Sequence, residues 1–533
     1  MNPVEQFFGL MIAAMIIAAI AKRFELPYPL ALVVGGLALS MVPGLPVVHL
    51  DPEIVFFLFL PPILGEAAYF TSWRDFWRLR RPILLLSFGL VTATTLAVAT
   101  ICAWLIPGMS WAAGLTLGAI ISPPDAAAAT SVMRGLRLPR RIVQILEGES
   151  LVNDASALVL YRFSVATIVT GAFSYSEASM TLAWVTFGGT AIGIGIGWLY
   201  TKLYPLIRDP EVEILSTLAV SYSSYFLAEK VHASGVLATV AAGMMLGWYA
   251  PGLFSSAMRI RTVAVWQSII FVVNALIFIL IGLQLPTVMA ELQGYPPGML
   301  AWWAGIVSLT VIVVRLLWVF PAAYIPRLLS KCPTEEQAPL NKALLVVGWT
   351  GLRGVVSLAA ALSLPIETHG GLPFPYRSLI LFLTFIVILV TLLLQGFTLR
   401  PLIRWLALEA DRSSAEETLL ARIYASERVV DRIANFEHEA QLPAAAIQRV
   451  RVYFEDRLGG LREQLSVETG QDDPEKPGEF LSLAEQRLWW ELARVEREAI
   501  LKLRREQKIG DEAMREIERE IDLLEARLVP HRS

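Results

Sequence analysis

Long apolar segments recur from the first residues to about residue 405, and they constrain the fold more than any other feature. We count about thirteen segments of spanning or near-spanning length, each suited to a helix that crosses a bilayer. They begin near Val4, Pro29, Glu53, Pro82, Ser110, Arg141, Thr181, Glu211, Ser234, Thr262, Pro297, Asn341 and Ser378. A chain of 533 residues that is 55% hydrophobic and 17% charged is too apolar for a soluble protein of this size. The sequence therefore predicts an all-α polytopic membrane protein embedded in a lipid bilayer.

Basic residues alternate strongly between the two sets of loops that connect these segments. One set carries Lys22, Arg23, Arg74, Arg78, Arg80, Arg81, Arg134, Arg137, Arg140, Arg141, Lys202, Arg208, Arg259, Arg261, Arg327, Lys331 and Lys342. The other set carries only Lys230 and Arg377. Because cytoplasmic loops collect Lys and Arg, the first set is predicted to be cytoplasmic. This orientation puts the N-terminus outside and the C-terminus inside the plasma membrane, as an odd number of spans also requires.

The composition changes after Arg404, which divides the chain into a transmembrane domain (1–405) and a cytoplasmic helical tail (406–533). The tail is rich in Glu, Arg, Leu and Ala at helical spacing, and the segment TGQDDPEKPGE interrupts it. Its alternating charges most simply form a solvated face, although coiled-coil pairing or a contact with a regulatory ligand or partner remains open. A net charge of −3 without a basic cluster predicts no nucleic-acid partner.

The segment LEGESLVNDASA, from Leu146 to Ala157, sets acidic and amide side chains inside the sixth span. On a helix, Ser150 and Asp154 share one face, while Glu149 and Asn153 share the neighbouring face. Ionisable groups at bilayer depth are rare, and they commonly mark the path of an ion or a proton. Asp154 is therefore the first candidate for a residue that binds a cation or a proton.

Two spans are predicted to be interrupted. Pro123 and Pro124 in the fifth span remove two amide donors, so we expect the helix to part near Ser122 to Pro124 and a half-helix to begin around Asp125. In the twelfth span, Gly348, Gly351 and Gly354 surround Arg353 and permit a second break. Interrupted helices in corresponding positions of two halves are typical of the binding site of a transporter.

Two more ionisable residues fall inside apolar segments. Glu66 follows Pro61 and Pro62 in the third span, where it either binds a cation or is solvated at the cytoplasmic end. Arg315 lies near the middle of the eleventh span and needs a carboxylate partner, for which Glu149 is the candidate. The simpler interpretation of that pair is a fixed ion pair that joins helices without titrating.

The segments FLFLPPILGEAA, AIISPPDAAAA, LEGESLVNDASALVLY and GWTGLRGVVSLAAAL, in this order, resemble the monovalent cation:proton antiporters of the NhaP and NHE type. The resemblance covers about residues 1 to 405 and is greatest to bacterial members with a cytoplasmic helical tail. It implies a homodimer whose protomers each have a dimerisation domain and a core domain of the third to sixth and tenth to thirteenth spans. It also implies inverted repeats, in which the discontinuous fifth and twelfth spans cross at their unwound centres.

The resemblance also implies roles for particular residues. The ligands of the cation or proton would be Asp154, Asp125, Ser150, Glu66 and the carbonyl oxygen of Pro124, and the structural core would hold Asn153, Glu149, Arg315 and Arg353. Of these, Asp154, Asp125 and Ser150 would contact the monovalent metal ion. The chain departs from the family where relatives commonly have Thr-Asp-Pro, because it has Pro124-Asp125-Ala126. A threonine ligand is therefore missing, and only the carbonyl of Pro124 can serve there.

The function that follows is secondary active exchange of Na⁺, or of Li⁺ or K⁺, for H⁺, in the service of pH and cation homeostasis. Because Asn153 puts an amide rather than a second carboxylate beside Asp154, we expect electroneutral one-for-one exchange. No cofactor is expected beside the transported ions. Neither HExxH nor GxSxG occurs in a suitable place, so the chain is not predicted to be an enzyme.

Three alternatives remain open at this point. The first is an antiporter that prefers K⁺. The second is a cation channel, which the absence of a TVGYG-type filter disfavours. The third is a transport-inactive sensor that signals through its tail, and deletion of the tail from about Arg412 would separate it from an antiporter.

Overall fold

The computed structural model describes residues 3–23, 28–41, 52–125, 129, 133, 138–170, 180, 181, 183–207, 209–328, 341–368, 371–407, 412–436, 444–466 and 483–528. Within these ranges the chain is helical, apart from connecting turns and one isolated β-bridge between Glu367 and Pro373. The prediction of an all-helical protein is confirmed for the described residues.

The described helices are numbered here in chain order. The first eight are α1 (Pro3–Arg23), α2 (Tyr28–Ser40), α3 (Pro52–Phe70), α4 (Trp73–Arg78), α5 (Arg80–Leu105, π-helical over Leu85–Leu90), α6 (Trp111–Ile121), α7 (Arg140–Thr170) and α8 (Gly189–Leu203, after the π-helical Trp184–Gly188). The next seven are α9 (Pro210–Lys230), α10 (Gly235–Leu253), α11 (Ser256–Glu291), α12 (Pro297–Leu328), α13 (Asn341–Trp349), α14 (Val355–Leu362) and α15 (Arg377–Leu406). The remaining four are α16 (Arg412–Phe436), α17 (Ala444–Ser466), α18 (Leu483–Arg505) and α19 (Asp511–Leu528).

Several of these helices are long and apolar enough to cross a bilayer. Among the described residues, six qualify by length and composition: Arg80–Leu105, Arg140–Val169, Gly235–Leu253, Met258–Glu291, Pro297–Ile325 and Arg377–Leu406. Shorter apolar helices cover Gly9–Ala21, Ala31–Ser40, Phe57–Phe70 and Trp111–Ile121. The protein is therefore a multi-pass membrane protein, while the count of thirteen spans stays a prediction.

The chain leaves helical geometry at both of the positions where the sequence predicts a break. Helix α6 ends at Ile121, just before Pro123 and Pro124. The other break separates α13, which ends at Trp349, from α14, which begins at Val355. Of the half-helix predicted to begin around Asp125, residues 126–128, 130–132 and 134–137 lie outside the described residues, so this half-helix stays a prediction.

Paired prolines alone do not interrupt a helix in this protein. Pro61 and Pro62 lie inside the continuous helix α3, between the fully buried Leu60 and Leu64. A membrane helix tolerates proline where its neighbours stabilise the backbone around it. The break after α6 therefore depends on the packing of the chain around Pro123 and Pro124 as well as on the prolines themselves.

The chain forms two compact units. The first comprises residues 1–208, 215–250 and 265–409, and it contains both helix breaks. The second comprises residues 209–214, 251–264 and 410–533, in which helices α16 to α19 pack around three apolar clusters. In this second unit Arg259 donates hydrogen bonds to both carboxylate oxygens of Asp522 and to the carbonyl of Phe254. The last helix of the chain is thereby attached to the segment at the start of α11.

Candidate cation site

The polar segment from Leu146 to Ala157 lies on the long, uninterrupted helix α7. Glu149 and Asn153 are fully buried, and Asp154 is only 9% exposed. The carboxylate of Asp154 makes no hydrogen bond within the described part of the chain, and it lies close enough to Asp125 for the two charges to repel each other. A buried carboxylate in this position needs a proton or a cation to offset its charge.

The carbonyl oxygen of Pro124 is the point where the end of α6 meets α7. It accepts a hydrogen bond from Nδ2 of Asn153 at 3.3 Å and a longer one from Oγ of Ser150 at 3.4 Å. The side-chain oxygen of Asn153 is buried without a hydrogen-bond partner among the described residues. This oxygen is thus an available ligand, whereas the sequence indicated only a structural role for Asn153.

Asp125 connects the two helix breaks. Its backbone N–H donates to the carbonyl oxygen of Leu352 at 2.7 Å, between α13 and α14. Gly354 lies directly beside the Asp125 carboxylate, because a Cβ atom at position 354 would fall 1.7 Å from Oδ2 of Asp125. The lack of a side chain at Gly354 therefore makes room for the carboxylate.

These contacts bring one group of oxygen atoms together. It comprises the carboxylates of Asp125 and Asp154, the hydroxyl of Ser150 and the carbonyl of Pro124, which Asn153 contacts through Nδ2. In the described ranges no three or more His, Cys, Asp or Glu residues form a metal-binding cluster. Carboxylate, carbonyl and hydroxyl oxygens are ligands suited to hard cations. The arrangement can hold a small cation or a proton between two carboxylates.

Glu149 and Arg315 form the ion pair that the sequence predicts. Nη1 of Arg315 lies 2.5 Å from Oε1 of Glu149, and Nη2 lies 3.1 Å from Oε2. Arg315 also donates through Nε and Nη2 to the carbonyl oxygen of Val347, at 3.3 and 3.1 Å. Both side chains are fully buried. The pair joins α7, α12 and α13 one turn before Asp154, and it satisfies charges that would otherwise be costly.

Arg353 is also fully buried, between α13 and α14. Its backbone N–H donates to Oγ1 of Thr391 on α15 at 3.3 Å. Its three guanidinium nitrogens have no hydrogen-bond partner among the described residues. Arg353 adds a positive charge to the interior near Arg315 and Glu149.

Glu66 is half-buried on α3, and no described hydrogen bond connects it to Asp125 or Asp154. It lies near Glu147, an exposed residue on α7 that the sequence analysis did not single out. Glu147 precedes Ser150 by three residues and Asp154 by seven, so all three share one face of α7. This spacing was visible in the sequence, and it marks a polar face from the exposed Glu147 to the buried Asp154.

Comparison with known proteins identifies the class of protein that this fold and site define. The family described as "Sodium/hydrogen exchanger, transmembrane" matches residues 10–405. An uncharacterized Na⁺/H⁺ exchanger of Mycobacterium tuberculosis is 32% identical over 539 residues, covering 98% of this chain and 96% of the relative. The chain therefore belongs to the sodium/hydrogen exchanger family. It is a transporter and not an enzyme, as the sequence predicts.

Two further relatives show the range of the similarity. The sodium, potassium, lithium and rubidium/H⁺ antiporter of Bacillus subtilis is 34% identical over 396 residues, which cover 72% of this chain and 59% of that protein. The solved structure of the sodium proton antiporter MjNhaP1 from Methanocaldococcus jannaschii matches 76% of this chain and 98% of its own, with a TM-score of 0.58 and 18% identity. At that identity, the likeness to the solved structure concerns the fold alone.

Proposed function

We propose that the protein is a secondary active antiporter that exchanges Na⁺ for H⁺ across the plasma membrane, one for one and without net charge transfer. The observation that carries this proposal is the buried carboxylate of Asp154, which has no hydrogen bond in the described chain and faces Asp125. The relatives described above are named as Na⁺/H⁺ exchangers and antiporters, which supports exchange of a cation for a proton.

The mechanism is competition for Asp154. A desolvated carboxylate offsets its charge either by taking a proton or by binding a small cation through oxygen ligands. Because the two are mutually exclusive, each reorientation of the loaded site carries one or the other. A difference of one pH unit corresponds to about 1.4 kcal/mol, enough to hold a roughly tenfold opposing cation gradient at one-for-one exchange.

The other residues have distinct parts in this proposal. Asp125, Ser150, the Pro124 carbonyl and Glu66 supply further oxygen ligands. Asn153, Glu149, Arg315 and Arg353 hold the site in place and keep the number of titrating charges at one. The unwound centres of the fifth and twelfth spans cross at the site, within thirteen spans arranged as inverted repeats, and the hydrogen bond from Asp125 to Leu352 supports this crossing.

The assembly and orientation belong to the same proposal. The protein is a homodimer in the bacterial inner membrane, with its N-terminus outside and its C-terminus in the cytoplasm, as the distribution of Lys and Arg indicates. The cytoplasmic tail from residue 406 regulates exchange through a ligand or partner. The only ions that the site needs are the transported ones, and the protein has no other cofactor.

A preference for K⁺ is the second candidate. Two observations favour it: the B. subtilis relative is named for sodium, potassium, lithium and rubidium, and the threonine that relatives commonly have before Asp125 is replaced here by Pro124. Fewer side-chain ligands reduce the constraint on cation size, because selectivity depends on the number and flexibility of the ligands.

Cation-induced collapse of a pH gradient in vesicles with purified protein tests both candidates. We expect collapse on addition of Na⁺ to the wild type and none with Asp154→Asn, a substitution of nearly equal size. Separate additions of Li⁺ and K⁺ measure the cation preference. If folded wild-type protein gives no collapse with any cation, antiport is excluded.

A further inference from the structure

An ion pair outside the candidate cation site joins α7 to α9. Nη2 of Arg162 lies 2.6 Å from Oε1 of Glu229, and the two side chains are 36% and 32% exposed. Arg162 lies eight residues beyond Asp154 on α7, about 12 Å farther along the helix axis. It is therefore beyond the cation site on the side away from Arg140 and Arg141, the basic start of α7.

Glu229 is held in place from its own side. The same oxygen that contacts Arg162 accepts a hydrogen bond from the backbone N–H of Gly235, at 3.0 Å. A Cβ atom at Gly235 would come within 2.8 Å of this oxygen and of the Tyr225 ring, so the carboxylate packs against the turn at Gly235. The turn from α9 to α10 thus presents a fixed acceptor to Arg162.

Two adjacent residues of α7, Tyr161 and Arg162, contact different helices. The hydroxyl of Tyr161 lies 3.3 Å from that of Ser363, just after α14, whereas Arg162 contacts the end of α9. The backbones of α7 and α9 lie close together at few of their described residues. Arg162 also interacts with Tyr225 on α9, so the described side-chain connection between these two helices centres on Arg162.

We propose that Arg162 and Glu229 form a gate that closes the path from this end of the protein to Asp154, and that the pair separates when the site opens toward that end. This inference rests on the proposed function, since it assumes that access to Asp154 alternates. The pair suits a gate because partly exposed ion pairs are individually weak, so the contact biases one conformation and still separates readily. Neither residue is a ligand of the transported ion.

The path can be tested with a thiol placed between the gate and the site. Leu158 lies on α7 one turn after Asp154 and one turn before Arg162, and it is 4% exposed. Both native cysteines are first removed by Cys102→Ser and Cys332→Ser. The variant Leu158→Cys is then made in this background, reconstituted in oriented vesicles and treated with a membrane-impermeant maleimide. We expect slow labelling from the side on which Arg162 lies, which is the outside in the proposed orientation.

Removing the pair should open the path. Glu229→Gln and Arg162→Gln should each increase the labelling rate from that side several-fold, and the swapped pair Arg162→Glu with Glu229→Arg should restore slow labelling. Glu211→Gln is the matched control, because Glu211 lies at the opposite end of α9 and is exposed. It should leave the rate unchanged. Should the swapped pair fail to fold, Glu229→Asp, which keeps the charge, should label more slowly than Glu229→Gln.

Two results would overturn the gate. One is an unchanged labelling rate in folded Glu229→Gln and Arg162→Gln proteins, and the other is fast labelling of the parent from the same side. Labelling does not require exchange, so a parent that transports no cation would contradict the proposed function while these labelling comparisons still decide the gate.

Discussion

The backbone N–H of Asp125 donates to the carbonyl oxygen of Leu352 at 2.7 Å, which joins the two interrupted segments directly through their main chains. Gly354, two residues after Leu352, lies against the carboxylate of Asp125. The position of the Asp125 side chain therefore depends on position 354 being a glycine. Asp125 and Leu352 are 227 positions apart in the sequence, yet both contribute to one site.

Gly354→Ala should severely impair exchange. A Cβ atom at this position would lie 1.7 Å from Oδ2 of Asp125, so the carboxylate or the backbone must move. Such overpacking costs about 1–3 kcal/mol, and we expect the exchange rate in vesicles to fall by roughly tenfold or more. Gly305→Ala on α12 is the control, because a Cβ atom there would meet nothing within 4 Å. Wild-type exchange by Gly354→Ala would show that the Asp125 position is not critical.

Parts of this site could be predicted from the sequence because their causes are local. Pro123 and Pro124 remove hydrogen-bond donors from the backbone. A buried Arg315 requires a carboxylate partner, whatever the arrangement of the helices. The contacts of the Pro124 carbonyl, the Asp125–Leu352 hydrogen bond and the Arg162–Glu229 pair could not be predicted. They depend on how helices far apart in sequence pack together, which no local pattern specifies.

The continuous helix at Pro61 and Pro62 illustrates the same limit. The same dipeptide that precedes a break at Pro123 and Pro124 lies within an unbroken helix in α3. Proline removes a donor in both cases, but the surrounding helices decide whether the backbone continues. The spacing of Glu147 with Ser150 and Asp154, in contrast, is a local pattern that the sequence does contain.

Glu149→Gln should destabilise the protein strongly. It leaves the fully buried Arg315 without its carboxylate partner, a change that costs about 3–5 kcal/mol in buried pairs. The thermal unfolding midpoint of the purified protein in detergent should fall by several degrees. Glu491→Gln, which removes an exposed partner of Arg494 in the tail, should leave the midpoint unchanged.

A double variant separates charge burial from packing at the same position. Glu149→Leu with Arg315→Leu removes both charges, so its midpoint should lie above that of Glu149→Gln. If Glu149→Gln unfolds at the wild-type temperature, the ion pair does not support the fold in the way described.

The tail should become less stable as the pH rises from about 4.5 to about 7. Burial raises the pKa of Glu518 on α19 from 4.5 to about 7, although Arg259 lies 3.4 Å away and opposes the shift. Because the folded tail holds the proton more tightly than the unfolded tail, the stabilisation is complete below pH 4.5 and is lost as the pH passes 7. The shift corresponds to at most about 3 kcal/mol.

Hydrogen exchange of α18 and α19 in the full-length protein, corrected for intrinsic rates, measures this effect. Protection should decrease between pH 5 and pH 7.5, and Glu518→Gln should reduce the decrease because its side chain does not titrate. Glu512→Gln is the matched control, because Glu512 is an exposed residue in the first turn of α19. An equal loss of protection in wild type and Glu518→Gln would contradict the assignment of the effect to Glu518.

Exchange should be independent of membrane potential. With Asn153 beside Asp154, one titrating charge moves with either one cation or one proton, so the loaded site has the same net charge in both directions. Initial exchange rates in vesicles should be equal at zero potential and at potentials of either sign set with a K⁺ ionophore. A rate that changes steadily with potential would indicate net charge transfer and a different stoichiometry.

Competition between cation and proton at Asp154 is the central claim, and proton release on cation binding measures it most directly. Purified protein in weakly buffered detergent solution is titrated with Na⁺ while a pH indicator reports the released protons. The account predicts release of up to one proton per protomer in the wild type, the largest value being reached where Asp154 is initially protonated, and none in Asp154→Asn. Saturable Na⁺ binding without proton release across the pH range of exchange, or equal release by Asp154→Asn, would contradict it.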